Sequence, residues 1–219
     1  MDIYWGGQAL IKLKGKNATV LIDPYGSEFT GLKLPKDLAS DVVLVTHDHN
    51  DHNNSKAVES TPAGNKPMVF DKAGEYEVAG VVITGISSFH DEKVGAERGL
   101  NIIFHLMFDG LNLVHLGDLG QLKLNEEQIA QIGDVDILFV PVGGVYTIDG
   151  KVASEIVSQL EPRIIIPIHY KIEGLKFELA SVDGFLKEMG AEGVVPVPKL
   201  SITKEKLPEE PMVVVLSKT

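Results

Sequence analysis

The stretch VVLVTHDHNDHNN, residues 42–54, constrains this chain more than any other. An apolar, β-branched run ends at Thr46, and His47, Asp48, His49, Asp51 and His52 follow within six positions. Such a run predicts a buried strand, because a short continuous apolar segment packs on both of its faces. The chain has seven histidines, and three of them crowd this one strand end. They are either donors to a shared cation or part of a polar loop rich in His. In extended backbone, side chains two apart point the same way, so His47 and His49 can converge on one cation. Asp51 and His52 follow as the chain turns and can reach a second position. Imidazole and carboxylate suit zinc, manganese or iron. There is no cysteine to add a thiolate.

Four donors in one loop call for partners at strand ends elsewhere. His90 follows GISSF, Asp118 lies in HLGDLG, and His169 ends RIIIPIH. Each terminates an apolar run, and in α/β architectures sites gather at the carboxyl ends of strands. With the loop they complete two metal positions, and the glycines beside Asp118 allow close backbone approach. His115 is either a supporting histidine that holds a carboxylate or a partly buried strand residue. His105, inside NIIFHLMF, reads as an ordinary strand histidine. Arg98 is either a clamp for an anionic substrate or half of a surface ion pair. Tyr146, on a Gly-rich loop, either donates to a developing oxyanion or anchors its loop.

The first 120 residues read mostly as strands: ALIKLK (9–14), ATVLID (18–23), VVLVT (42–46), PMVF, VAGVVITGI, NIIFHLMF and LNLVHL. Asp109-Gly110 between the last two is a hairpin signal. Helices are expected over 53–60, 125–133, 151–162 and roughly 176–189, the last interrupted by Gly184. The third carries Val152, Ile156 and Leu160 on one face and stops before Pro162. Strands DILFVPV (136–142) and RIIIPIH (163–169) flank the middle helices, and the charged, Pro-bearing end holds one or two more. Two facing sheets with helices outside, an α/β sandwich of αβ/βα order, account for this pattern. A single open parallel sheet is the alternative, and the early hairpins argue against it. No linker-like segment divides the chain, so one domain over 1–219 is expected, with halves of about 1–120 and 121–219.

Composition narrows the function. With 20 basic and 31 acidic residues the net charge is -11, a field that repels phosphate backbones and argues against a nucleic-acid partner. No basic region precedes an apolar one at the start, and no apolar run is long enough to span a bilayer. A cytoplasmic protein with a small-molecule substrate and no membrane partner is the expectation.

THDHNDH at 46–52, His90, Gly117-Asp118, PIH at 167–169 and LIDP at 21–24 together resemble the metallo-β-lactamase superfamily. The similarity covers essentially the whole chain in the family's order. It is strongest to the branch of small hydrolases that includes L-ascorbate-6-phosphate lactonase. The resemblance implies a four-layer αβ/βα sandwich and a dinuclear hydrolase. His47, His49 and His90 would bind one divalent metal. Asp51, His52 and His169 would bind the other, and Asp118 would bridge them. Asp23 would order the loop from beneath. Zinc comes first and manganese second as the metal. A metal-bound hydroxide would attack an ester, lactone or phosphoester of a small molecule, with Asp51 orienting it and relaying its proton. Three other readings stay open: a metal-binding protein without turnover, a nuclease, and a diiron oxidoreductase, whose superfamily members carry Glu where this chain has His49.

Overall fold

The computed structural model describes residues 1–62 and 66–219. The chain opens with β1 (Asp2–Gly7), β2 (Leu10–Lys14) and β3 (Thr19–Ile22) as an antiparallel meander. It continues through β4 (Val42–Leu44) and β5 (Met68–Phe70), which run parallel to β3. Strands β6 (Gly74–Val78), β7 (Val81–Phe89), β8 (Leu100–Phe108) and β9 (Leu111–His115) form a second meander. β10 (Ile137–Pro141) and β11 (Ile164–Ile168) extend it in parallel. The short β12 (Leu200–Ser201) and β13 (Met212–Val213) close one edge of each sheet. The two sheets have orders β12-β1-β2-β3-β4-β5 and β13-β11-β10-β9-β8-β7-β6.

Alternation along the strands sorts the side chains. Ile11, Leu13, Val20 and Ile22 join one large core with Ile83, Phe104, Leu113 and Phe139 of the other sheet. Leu10 and Leu21 point the opposite way, into a smaller cluster with Tyr25, Leu32 and Leu175. The architecture is the expected α/β sandwich. Outside the second sheet lie α2 (Glu126–Ile132), α3 (Gly150–Leu160) and α4 (Asp183–Glu188). Outside the first the helical layer is thin: among the described residues it holds α1 (Ser27–Thr30) and a 3-10 turn at Ser55–Ala57, with loops completing the cover. Asn125 caps α2 in a reciprocal capping box with Gln128, and Asp149 caps α3. The hairpin at Asp109-Gly110 forms with φ of 52° and 79°, as a two-residue turn of that sequence requires.

Several elements differ from expectation. β1 was not foreseen. VAGVVITGI is not one strand, because Ala79 and Gly80, at φ 52° and 77°, turn the chain between β6 and β7. The expected helix over 53–60 is one 3-10 turn at Ser55–Ala57. Asn54 spends its amide on the Tyr25 carbonyl, 3.0 Å away, instead of capping a helix. Of the helix expected over 176–189 only α4 forms. Before it, Lys171 Nζ donates to the carbonyls of Leu175 and Phe177, and Ala180 N donates to Gly143 O, so tertiary partners take the backbone groups a helix would use. Among the described residues no helix is long and apolar enough to cross a membrane.

Candidate metal centre

β3 and β4 end at one rim of the first sheet, and β7, β9, β10 and β11 end together at one rim of the second. Each expected donor sits just past one of these ends. His47 to His52 follow β4, His90 follows β7, Asp118 follows β9 and His169 follows β11. The structure brings all seven together. Donor atoms of His47, His49 and His90 lie within 4.8 Å of one another, as do those of Asp51, His52, Asp118 and His169. Asp118 Oδ2 stands between the groups, 3.2 Å from His52 Nε2 and His169 Nε2, 3.5 Å from His90 Nε2 and 4.0 Å from His47 Nε2. His47 and His49 do converge, with ring centroids 4.6 Å apart, but through a run of bends and not through extended strand.

Asp23 lies fully buried beneath the loop, in the ordering place the resemblance implied. It accepts from Thr46 N and Thr46 Oγ1, both at 2.8 Å, and its Oδ2 is 2.9 Å from His52 Nδ1. A carboxylate on one ring nitrogen turns the other toward the cluster, the usual support for a ligating histidine. Three carboxylates also act on His52 as a charge. Burial favours its neutral form, yet Asp118, Asp23 and Asp51 outweigh burial and hold its pKa well above the ordinary value. His47 goes the other way: burial first, then the neighbouring His52, push its pKa down to about 2. Burial raises the Asp118 carboxyl, but His169 and His52 more than reverse this and keep it ionised.

Several functional neighbours gave no sequence signal. Gln8, fully buried at φ 51°, places Nε2 3.0 Å from Asp51 Oδ2 and 2.8 Å from His169 Nε2. Asn101 accepts from Asp118 N through Oδ1 and donates to Leu116 O, fixing the turn that presents Asp118. Asp91 accepts four backbone N–H bonds, from Lys93, Gly95, Glu97 and Arg98, at 2.7–3.0 Å. Gly120 was foreseen as a place of close approach: a Cβ there would strike the backbone of His90 and Asp91. His115 holds no carboxylate. Its Nε2 donates to Ala9 O at 2.9 Å and its Nδ1 accepts from Gly117 N at 3.0 Å, so it braces backbone around the site. His105 stays in mid-strand, apart from both groups.

The cluster meets the physical conditions for holding cations. His47 Nε2, His52 Nε2 and Asp118 Oδ1 are buried without hydrogen-bond partners, although buried polar atoms are almost always satisfied. A cation shared by these donors removes that cost. Over the cluster opens a cleft of about 400 Å3, with Phe29, Arg98, Tyr146 and Phe177 on its walls.

A beta-lactamase superfamily domain model matches residues 2–169. The chain belongs to that superfamily. A UPF0173 metal-dependent hydrolase from Thermoplasma acidophilum is 30% identical over 188 residues, 78% of this chain and 83% of the relative. Another from Archaeoglobus fulgidus is 28% identical and covers 89% of this chain and 93% of its own length. A Thermotoga maritima protein of the metallo-beta-lactamase superfamily, known from its crystal structure, is 36% identical. It superposes with a TM-score of 0.78 over 98% of this chain and 97% of its own. With the superfamily comes the coarse activity: the protein is a metal-dependent hydrolase.

Proposed function

We propose that this superfamily member is a dinuclear hydrolase acting on an ester, lactone or phosphoester bond of a small molecule. The observation that carries the reading is Asp118 Oδ2, placed between two donor groups at 3.2–4.0 Å from four imidazoles. His47, His49 and His90 would hold one divalent ion, Asp51, His52 and His169 the other, and Asp118 would serve both. The donor set of imidazole and carboxylate, with no thiolate, favours zinc and accommodates manganese. Such a pair of ions supplies Lewis acidity and makes water a nucleophile at neutral pH.

The remaining work falls to the chain's own groups. Asp51, on the cleft wall, can take a proton from the attacking water. Burial pushes its carboxyl up, but the neighbouring His52 outweighs this and leaves it ionised. Gln8 holds Asp51 in place by donating to Oδ2. The cleft volume of about 400 Å3 lies within the small-molecule range. The test is metal content together with turnover. Purified protein should carry two ions per chain and hydrolyse members of a panel of lactones, aryl esters and phosphodiesters. Asp118→Ala should lose at least one ion. Retention of both overturns the shared carboxylate. Two bound ions with no turnover across the panel favour a binding protein instead.

A further inference from the structure

The walls of the cleft are unlike its floor. Phe29 on α1, Tyr146 on the loop after β10 and Phe177 before α4 come from three separate segments and meet edge to face. Phe29 and Phe177 have ring centroids 5.3 Å apart, and Tyr146 and Phe177 6.2 Å apart. Phe29 is 46% exposed and Tyr146 41%. Phe177 is half-buried against the smaller core cluster, whereas Phe29 and Tyr146 project from it into the cleft without being part of either core. Aromatic rings left open over a polar floor form an apolar surface that awaits a partner.

Arg98 completes this wall. Its guanidinium carbon lies 5.8 Å from the Tyr146 ring centroid, and Nη2 donates to Val145 O at 3.2 Å. Among the described residues no carboxylate stands within ion-pair distance of it. Glu97 is engaged by Lys93 at 2.5 Å, and Asp48 by Asn53 at 2.6 Å. Of the two readings open for Arg98, the described residues do not form the surface ion pair. The arginine is also built into place. Asp91 accepts from its backbone N–H at 2.7 Å and from that of Glu97 at 3.0 Å, which ties the loop to the residue after His90. A guanidinium held beside a ring keeps its remaining N–H groups available, and these match a planar carboxylate.

We infer that the substrate carries a flat apolar group, seated against Phe29, Tyr146 and Phe177, and a carboxylate paired with Arg98. The reacting bond then lies over the histidine–aspartate floor. The inference rests on the hydrolase reading for its chemistry, though the recognition can be measured without turnover. A monoanionic carboxylate suits the site better than a phosphate dianion. Asp48 and Glu97, which lie outside the proposed metal donors, also line the cleft and repel a second charge.

The experiment uses the full, metal-loaded chain with phenyl acetate and 4-acetoxybenzoate as matched probes. Hydrolysis of the second breaks the acyl C–O bond and forms a new one from water oxygen. The products are acetate, 4-hydroxybenzoate and one proton. The expected kcat/KM for 4-acetoxybenzoate is about 10-fold or more above that for phenyl acetate, the worth of one charge-assisted pair. In Arg98→Ala the ratio should fall toward one, and Arg98→Lys should restore only part of it. In a second arm, calorimetry compares benzoate with acetate. Benzoate should bind more tightly, and Arg98→Ala and Phe177→Ala should each weaken it several-fold. If the two esters react equally and Arg98→Ala changes neither ratio nor benzoate affinity, the substrate inference is overturned while the hydrolase stands. If neither ester reacts but benzoate binding depends on Arg98 and Phe177, the recognition surface stands and ester hydrolysis does not.

Discussion

His47, His49 and His90 on one side of the cluster, and Asp51, His52, Asp118 and His169 on the other, use the same kinds of side chain in unlike surroundings. The first group is all imidazole, and its His49 is exposed to the cleft. The second brings two carboxylates, is mostly buried with Asp51 and Asp118 reaching the cleft, and is backed by Asp23 and Gln8. On the proposed two-ion reading, charge and burial would make the second group the stronger cation holder, and the exposure of His49 would turn the first toward an approaching substrate.

The comparison breaks most visibly in the metal-free protein. His52→Ala removes the partner of buried Asp23, Asp51 and Asp118, and should destabilise by about 3–5 kcal/mol, the cost of an uncompensated buried charge. His49→Ala, at an exposed position, should stay within about 0.5 kcal/mol. Chelator-treated samples in urea titrations would read the difference, and equal midpoints would erase the asymmetry. Next in size is Asp23→Asn, which keeps the loop's shape but takes a charge from behind His52. Affinity at the second position should fall about 10–100-fold, as for other partners of ligating histidines. Competition with a metal-binding dye would measure it, and an unchanged affinity would count against the support assigned to Asp23.

A smaller effect separates the two roles of Gln8. Gln8→Ala loses the bond to Asp51 and keeps a side chain at φ 51°, whereas Gln8→Gly loses the same bond and releases the backbone. The glycine variant should be the more stable of the two by about 1 kcal/mol. Equal melting of the pair would mean the left-handed turn carries no cost here. The smallest effect concerns the loop that presents Arg98. Burial raises the Asp91 carboxyl, but four backbone N–H groups overcome this and bring its pKa to about 2. The unfolded chain, near the usual Asp value of about 3.9, takes up its proton first as pH falls. The stability Asp91 contributes is therefore full above about pH 4 and is lost as pH drops through about 2. The gap between wild type and Asp91→Asn in acid melts should close over that window.

The cluster was largely readable because its residues carry their chemistry in their identity and sit at ends of unmistakable apolar runs. THDHNDH, His90, Asp118 and His169 needed only strand ends to become neighbours. Gln8 was not readable: a glutamine after Gly6-Gly7 looks like any turn, and its meaning comes from His169, far along the chain. Asp91 hid for a related reason, since its partners are backbone amides that every residue owns. The lost helices at 53–60 and 176–181 show the limit from the other side. Local propensity favoured them, but the Pro24 and Gly143 carbonyls took the backbone N–H groups of Asn54 and Ala180, and the Tyr25 carbonyl took the Asn54 side chain that would have capped the first.

The donors hang from both sheets. His47 to His52 belong to the first sheet and His90, Asp118 and His169 to the second, and Ile102 N donates to Thr46 O where the sheets meet. During synthesis the second group stays incomplete until β11 has emerged and docked, late in a chain of mostly long-range pairings. A metal captured there would act as a latch on finished molecules, stabilising only those in which the sheets have closed. Metal supply would then set how much of the protein survives quality control as well as how fast it works.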